Sequence, residues 1–145
     1  MRLTRQSDYS LRVLMYLAVR PEHLATIEEI SRAYDISRAH LMKVVHQLGQ
    51  AGFVETVRGR GGGLRLAREL DEITVGAVVR ETEGRMDLVE CFEPSTSRCQ
   101  IEPACALRGV LRDALDAFLA TLDGTTLADL VARRRKRLVG LLVAS

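Results

Sequence analysis

The chain has 145 residues, of which 47% are hydrophobic, 28% charged and 4% aromatic. That length suits one domain, or a small domain with an appendage, and a chain this size buries roughly 70% of its unfolded surface. Balanced charge and ordinary apolar content exclude disorder. No apolar run approaches the ~20 residues of a membrane span. Met1-Arg2-Leu3-Thr4-Arg5 leads into no secretory apolar core, so the expectation is a soluble cytoplasmic protein with no membrane partner.

The formal net charge of +2 hides a strong asymmetry. Residues 1–67 carry ten Lys/Arg against six Asp/Glu, residues 68–132 carry six against thirteen, and Arg133-Arg134-Arg135-Lys136-Arg137 follows. A basic front half beside an acidic rear half predicts that a polyanion meets the front.

In chain order, Leu11, Leu14, Met15, Leu17 and Ala18 fall at helical spacing between Thr4 and Val19, and Arg20-Pro21 ends that helix. Thr26-Ile27-Glu28-Glu29 is a capping box opening a short helix through about Tyr34. Asp35-Ile36 makes a tight turn, Ser37 caps a third helix with Leu41, Val44, Val45 and Leu48 on one face, and Ala51-Gly52 stops it. Phe53–Val57 and Leu64–Ala67 read as strands of a hairpin around Arg58-Gly59-Arg60-Gly61-Gly62-Gly63. This order is that of a winged helix-turn-helix: a mainly α chain with a small β-hairpin wing.

Beyond the wing, Thr74 to about Gly84 is predicted to be a helix with Val75, Val78 and Val79 inward. After a cysteine-rich loop, a broad apolar stripe runs from Ala106 to Leu122 through Val110, Leu111, Leu115, Phe118 and Leu119. A small head offers it little cover, so it is expected to pack against its copy in a second chain. Thr126 starts a final helix that should end in the basic run, where cations complement the helix dipole. The division is a DNA-binding head at 1–84, a cysteine loop at 85–105, and dimerisation and C-terminal helices at 106–145.

In a helix-turn-helix the second helix lays its N-terminal residues along the major groove. The outward positions there are Ser37, Arg38, His40 and Lys43; Ser37 and Lys43 suit phosphates, and Arg38 and His40 can reach base edges. At the wing tip Arg58 and Arg60 flank Gly59, where glycine permits close backbone approach and arginine suits a narrow minor groove. A nucleotide-binding glycine loop is excluded, because a strand rather than a helix follows the glycines.

Cys91, Cys99 and Cys105 lie within fifteen residues and no cysteine occurs elsewhere. The odd count argues against a disulfide framework. The spacing Cys-x7-Cys-x5-Cys lacks the close pairs usual for zinc, and no base stands beside the loop to activate a nucleophile. Spacing alone leaves three readings: thiolates wrapping an iron–sulfur cluster, a zinc site, or a thiol redox switch. No acid–base pair indicates an enzyme, and an electron carrier has no need of a capped helix-turn-helix and wing.

The chain resembles the NsrR/IscR-type winged-helix regulators, which carry iron–sulfur clusters. The resemblance rests on Met1-Arg2-Leu3-Thr4 with Ser7-Asp8-Tyr9, the stretch Arg58–Ala67, and Ile73-Thr74-Val75-Gly76. Cys99-Gln100-Ile101-Glu102-Pro103-Ala104-Cys105 and Thr126–Val131 look most like the NsrR branch. It implies a homodimeric repressor on pseudo-palindromic double-stranded operator DNA, released when nitric oxide destroys the cluster. Cys91, Cys99 and Cys105 would hold one cluster per subunit, four-iron in preference to two-iron. Glu90, Glu93 and Glu102 are close in sequence and His23, His40 and His46 lie in the head, but the resemblance places the fourth ligand on Asp8 of the partner chain. The first cysteine interval is longer than in many relatives, and Leu64 stands where an aromatic is frequent.

Overall fold

The computed structural model describes residues 2–143; Met1 of the resemblance motif, and residues 144–145 at the end of the last predicted segment, lie outside them. Helix α1 (Arg5–Val19) begins where the Thr4 hydroxyl accepts from the Ser7 amide at 3.2 Å, and its face Val13, Leu14, Leu17 and Ala18 is fully buried. It is the central post of the head, touched by α3 (Arg38–Gln50), by the hairpin, and by α4 (Val75–Glu83), α6 (Leu127–Ala132) and α7 (Arg135–Leu142). Hydroxyl pairing fastens it to α4: Ser7 Oγ and Thr82 Oγ1 lie 2.7 Å apart, and the Thr4 amide donates to Glu83 at 2.7 Å.

The predicted capping box opens α2 (Ile27–Tyr34), with both reciprocal bonds between Thr26 and Glu29 formed. Asp35 then takes the left-handed conformation (φ 52°), and the Ser31 hydroxyl donates to the Ile36 carbonyl at 2.6 Å, closing the turn. Ser37 caps α3, which buries Leu41, Val44, Val45 and Leu48 as its periodicity requires. Gly52, at φ 73°, ends it in the backbone conformation that glycine alone adopts without a Cβ penalty.

Strands β1 (Val54–Val57) and β2 (Gly63–Leu66) pair antiparallel with Val54 opposite Leu66. Glu55 and Arg65 form a cross-strand ion pair. The wing is docked by a bridge from Ala25, whose N–H and carbonyl meet Leu64 at 3.0 and 2.7 Å. Here Leu64 is buried, and a Cβ on Gly63 would stand 2.7 Å from the Ala25 carbonyl oxygen. The glycine run is therefore partly a packing requirement at the root of the wing.

Helix α5 (Ala106–Asp123) has no buried residue within its own chain, and Leu107 and Val110 are 60% and 62% exposed. Its far end rests on α4, where Arg80 grips Asp123 with both guanidinium nitrogens and Gly76 leaves room for the Asp123 carboxylate and backbone.

One expectation is corrected. The last helix does not run from Thr126 into the basic residues. It breaks at Arg133-Arg134 into α6 and α7, so that Arg135-Lys136-Arg137 open a helix instead of closing one. Leu127 and Val131 of α6 are buried, and after the turn Leu138, Val139 and Leu142 of α7 pack onto the same core. Apolar burial against α1, α2 and α6 outweighs the dipole preference for cations at a C-terminus, which is at most about 1 kcal/mol on an exposed surface.

Candidate nucleic-acid interface and cysteine loop

The burial of α3 divides it cleanly. With its apolar face inward, Ser37, Arg38, Ala39, Met42, Lys43 and His46 remain exposed. Arg38 is held by Glu28 of α2 at 2.6 Å, and that contact keeps the Glu28 carboxyl below the ordinary carboxylate range. His40 is half-buried, with its ring edge-on to Tyr9 of α1 at 5.0 Å between centroids. Lys43, and Arg58 and Arg60 at the wing tip, are exposed and form no ion pair among the described residues. Gly59 and Gly61 between and beyond the wing arginines have φ of 104° and 76°, with open space where a Cβ would stand. Lys43 and the wing tip therefore offer uncompensated positive charge to a polyanion. Met42 and His46 were not among the DNA contacts read from sequence; their signal is the helical spacing from Ala39, which puts all three on the outward stripe.

Asp8 lies in the first turn of α1 and accepts two hydrogen bonds from Arg12, from Nε at 3.0 Å and Nη2 at 2.9 Å. The Arg12 guanidinium also lies over the rings of Tyr9 and Tyr34, at 5.7 and 5.9 Å. Tyr9 against His40, and Arg12 over Tyr34, thus join α1 to the helix-turn-helix. Burial pushes the Tyr34 phenol up to about 12, although the Arg12 charge opposes it.

The loop between α4 and α5 carries all three cysteines as free thiols. Cys91 is buried within a short 3-10 turn, Glu90–Phe92, whereas Cys99 and Cys105 are half-exposed. Cys105 precedes α5 directly and opens onto a depression of about 570 Å³ shared with Glu102, Arg108 and Arg112. Arg112 stacks on the Phe92 ring at 4.2 Å and Arg108 pairs with Glu102 at 3.1 Å, so the start of α5 is tied to the loop at both ends. Among the described residues the cysteines are not drawn together with other ligand side chains into a metal-holding group. The donor set itself fits iron: soft thiols, none committed to a disulfide, on a segment with little regular structure to resist rearrangement, beside two arginines that would balance an anionic group.

Residues 3–133 match the Rrf2 family, described as iron-dependent transcriptional regulators. The chain belongs to the Rrf2 family. A relative from Bacillus subtilis (strain 168), named HTH-type transcriptional regulator NsrR, is 52% identical over 135 residues, covering 92% of each chain. Among solved structures, CymR, the global cysteine regulator of B. subtilis, superposes with a TM-score of 0.72 at 30% identity, covering 92% of this chain and 98% of that one. IscR of T. potens superposes at 0.75 with 25% identity, covering 92% and 88%. This Rrf2 protein is accordingly a helix-turn-helix transcriptional regulator and not an enzyme, with the mainly helical winged architecture read from its sequence. No helix among the described residues is long and apolar enough to cross a membrane.

Proposed function

We propose that this Rrf2 protein is a homodimeric, iron–sulfur-dependent repressor that binds pseudo-palindromic operator DNA in the cytoplasm and releases it when nitric oxide attacks the cluster. The observation that carries this reading is the confinement of three free thiols to one loop, in a chain 52% identical to a relative named NsrR.

In this reading residues 1–84 hold the DNA-binding elements, 85–105 the cluster loop, and 106–145 the dimerising helix and C-terminal segment. Ser37 and Lys43 contact phosphates, Arg58 and Arg60 enter the minor groove, Gly59 lets the wing backbone come close, and Arg38 and His40 reach base edges. The apolar stripe of α5 supplies the dimer contact, since none of its residues is fully buried within the chain. Cys91, Cys99 and Cys105 hold a four-iron cluster, one per subunit, with Asp8 of the partner subunit as the oxygen ligand. The bound cluster supplies a site at which nitric oxide reacts. Carboxylate is a harder, more labile ligand to iron than thiolate, so Asp8 would supply the weakest of the four ties to such a cluster. For Asp8 to serve, it must turn away from Arg12, and an exposed i,i+4 pair of this kind holds it by only about 0.5 kcal/mol. A hundredfold change in operator affinity requires ~2.7 kcal/mol of coupling, within the usual allosteric range.

The test is anaerobic. Reconstituted protein should bind iron and labile sulfide, be dimeric by sedimentation, and lose operator affinity when nitric oxide is added. Asp8→Ala should keep the visible absorbance but weaken the dependence of DNA affinity on cluster state. A colourless protein with stoichiometric zinc, or DNA affinity indifferent to nitric oxide, would overturn the reading.

A further inference from the structure

The outward stripe of α3 carries an apolar side chain where the helix-turn-helix meets its target. Met42 is 62% exposed on a helix whose other large apolar residues, Leu41, Val44, Val45 and Leu48, are all buried. Among the described residues the other large exposed apolar side chains lie elsewhere: Leu107 and Val110 on α5, Ile101 in the cysteine loop and Leu141 on α7. Within the first two turns of α3, the part that enters a major groove, two of the side chains able to read bases are engaged inside the chain. Arg38 is paired with Glu28, and His40 lies against Tyr9. Ala39, one turn before Met42, is exposed on the same stripe, and Lys43 beside it has no ion-pair partner among the described residues.

We infer that Met42, with Ala39, is a specificity-determining contact that seats on the C5-methyl groups of thymines in the major groove. The inference rests on the DNA-binding reading above and adds to it the base that α3 selects. Charge complementarity decides the occupant: Lys43 on the same helix, and Arg58 and Arg60 on the wing, draw in a polyanion, which brings a duplex against this face. In the major groove each base pair shows hydrogen-bonding edges, and the thymine methyl is the apolar group they present. A thioether on three rotatable bonds adjusts to such a methyl without a fixed geometry. Cytosine at the same position presents an amino donor and no methyl, so exchanging T·A for C·G there forfeits the contact.

The experiment uses full-length, cluster-loaded protein. A bound duplex is selected from a random library, and its thymines are replaced one at a time by deoxyuridine, which removes only the methyl. At one or two positions in each half-site the wild-type protein should lose about fourfold in affinity per methyl. Met42→Ala, whose fold is checked by circular dichroism, should lose most of that preference at the position Met42 covers. A wild-type protein indifferent to uracil at every position would overturn the inference, as would an undiminished thymine preference in Met42→Ala. Either result would leave DNA binding itself intact. Failure to enrich any duplex would instead remove the DNA-binding reading and this inference with it.

Discussion

Gly76→Ala is the perturbation that most directly probes how α5 is mounted on the head. An added Cβ would lie 2.0 Å from Asp123 Oδ1, 2.8 Å from its Cγ and 2.9 Å from its backbone nitrogen. Rotating the carboxylate away relieves the first contact but breaks the two-pronged bond to Arg80, an exposed pair that contributes little. It leaves the backbone nitrogen too close, so the end of α5 itself must shift, at the ~1–3 kcal/mol typical of overpacking. Against this, alanine is favoured over glycine inside a helix by about 1 kcal/mol. The net expectation is a loss of up to about 2 kcal/mol, or at most roughly 8 °C in Tm for a chain of this size. Urea and thermal unfolding at fixed protein concentration measure it. Gly76→Ala/Asp123→Ala should recover only part of the loss, because the backbone contact persists. A variant more stable than the parent would show that propensity alone governs the site and would refute the close seating of α5 on α4.

Other consequences are equally direct. Because burial raises Tyr34 to about 12 from its ordinary 10.0, the folded chain retains that proton more tightly than the unfolded one. Its contribution is full below pH 10 and is lost as pH rises toward 12, by about 2–3 kcal/mol. Alkaline unfolding of Tyr34→Phe should show a correspondingly shallower decline. Gly63→Ala would push a Cβ against the Ala25 carbonyl and undock the wing, so amide exchange at Leu64 should rise well above that of the parent. Thr26→Ala removes one half of the capping box and should cost about 1 kcal/mol in urea unfolding with an unchanged m-value. Arg58→Ala and Arg60→Ala should weaken operator and unrelated duplexes alike, each reducing the slope of log affinity against log salt by about 1, as measured by fluorescence anisotropy.

Much of the winged helix-turn-helix was legible in the chain because its signals are local. Thr26 with Glu29, Ser37 before α3, Asp35 in the turn and Gly52 after the helix each act within a few residues of themselves. The apolar spacing of Leu41, Val44, Val45 and Leu48 likewise fixes which side of α3 faces inward. The candidate site was less legible, because its geometry depends on partners far away in sequence. The Arg38–Glu28 pair and the His40–Tyr9 contact are set by how α1, α2 and α3 cross, and they change which side chains of α3 face outward unengaged.

By itself the sequence determined where helices and strands begin and end through residue 84, which faces of them are apolar, and that three thiols share one loop. Tertiary structure alone decided that the tail breaks at Arg133-Arg134 and returns to the head, where Arg135 Nε donates to the Val19 carbonyl at 3.0 Å across more than a hundred residues. It also decided that α5 is seated on α4 through Gly76. Caps and periodicity are written in contacts between neighbours, whereas the course of the tail is set by the apolar surface that α1 and α2 leave open to it.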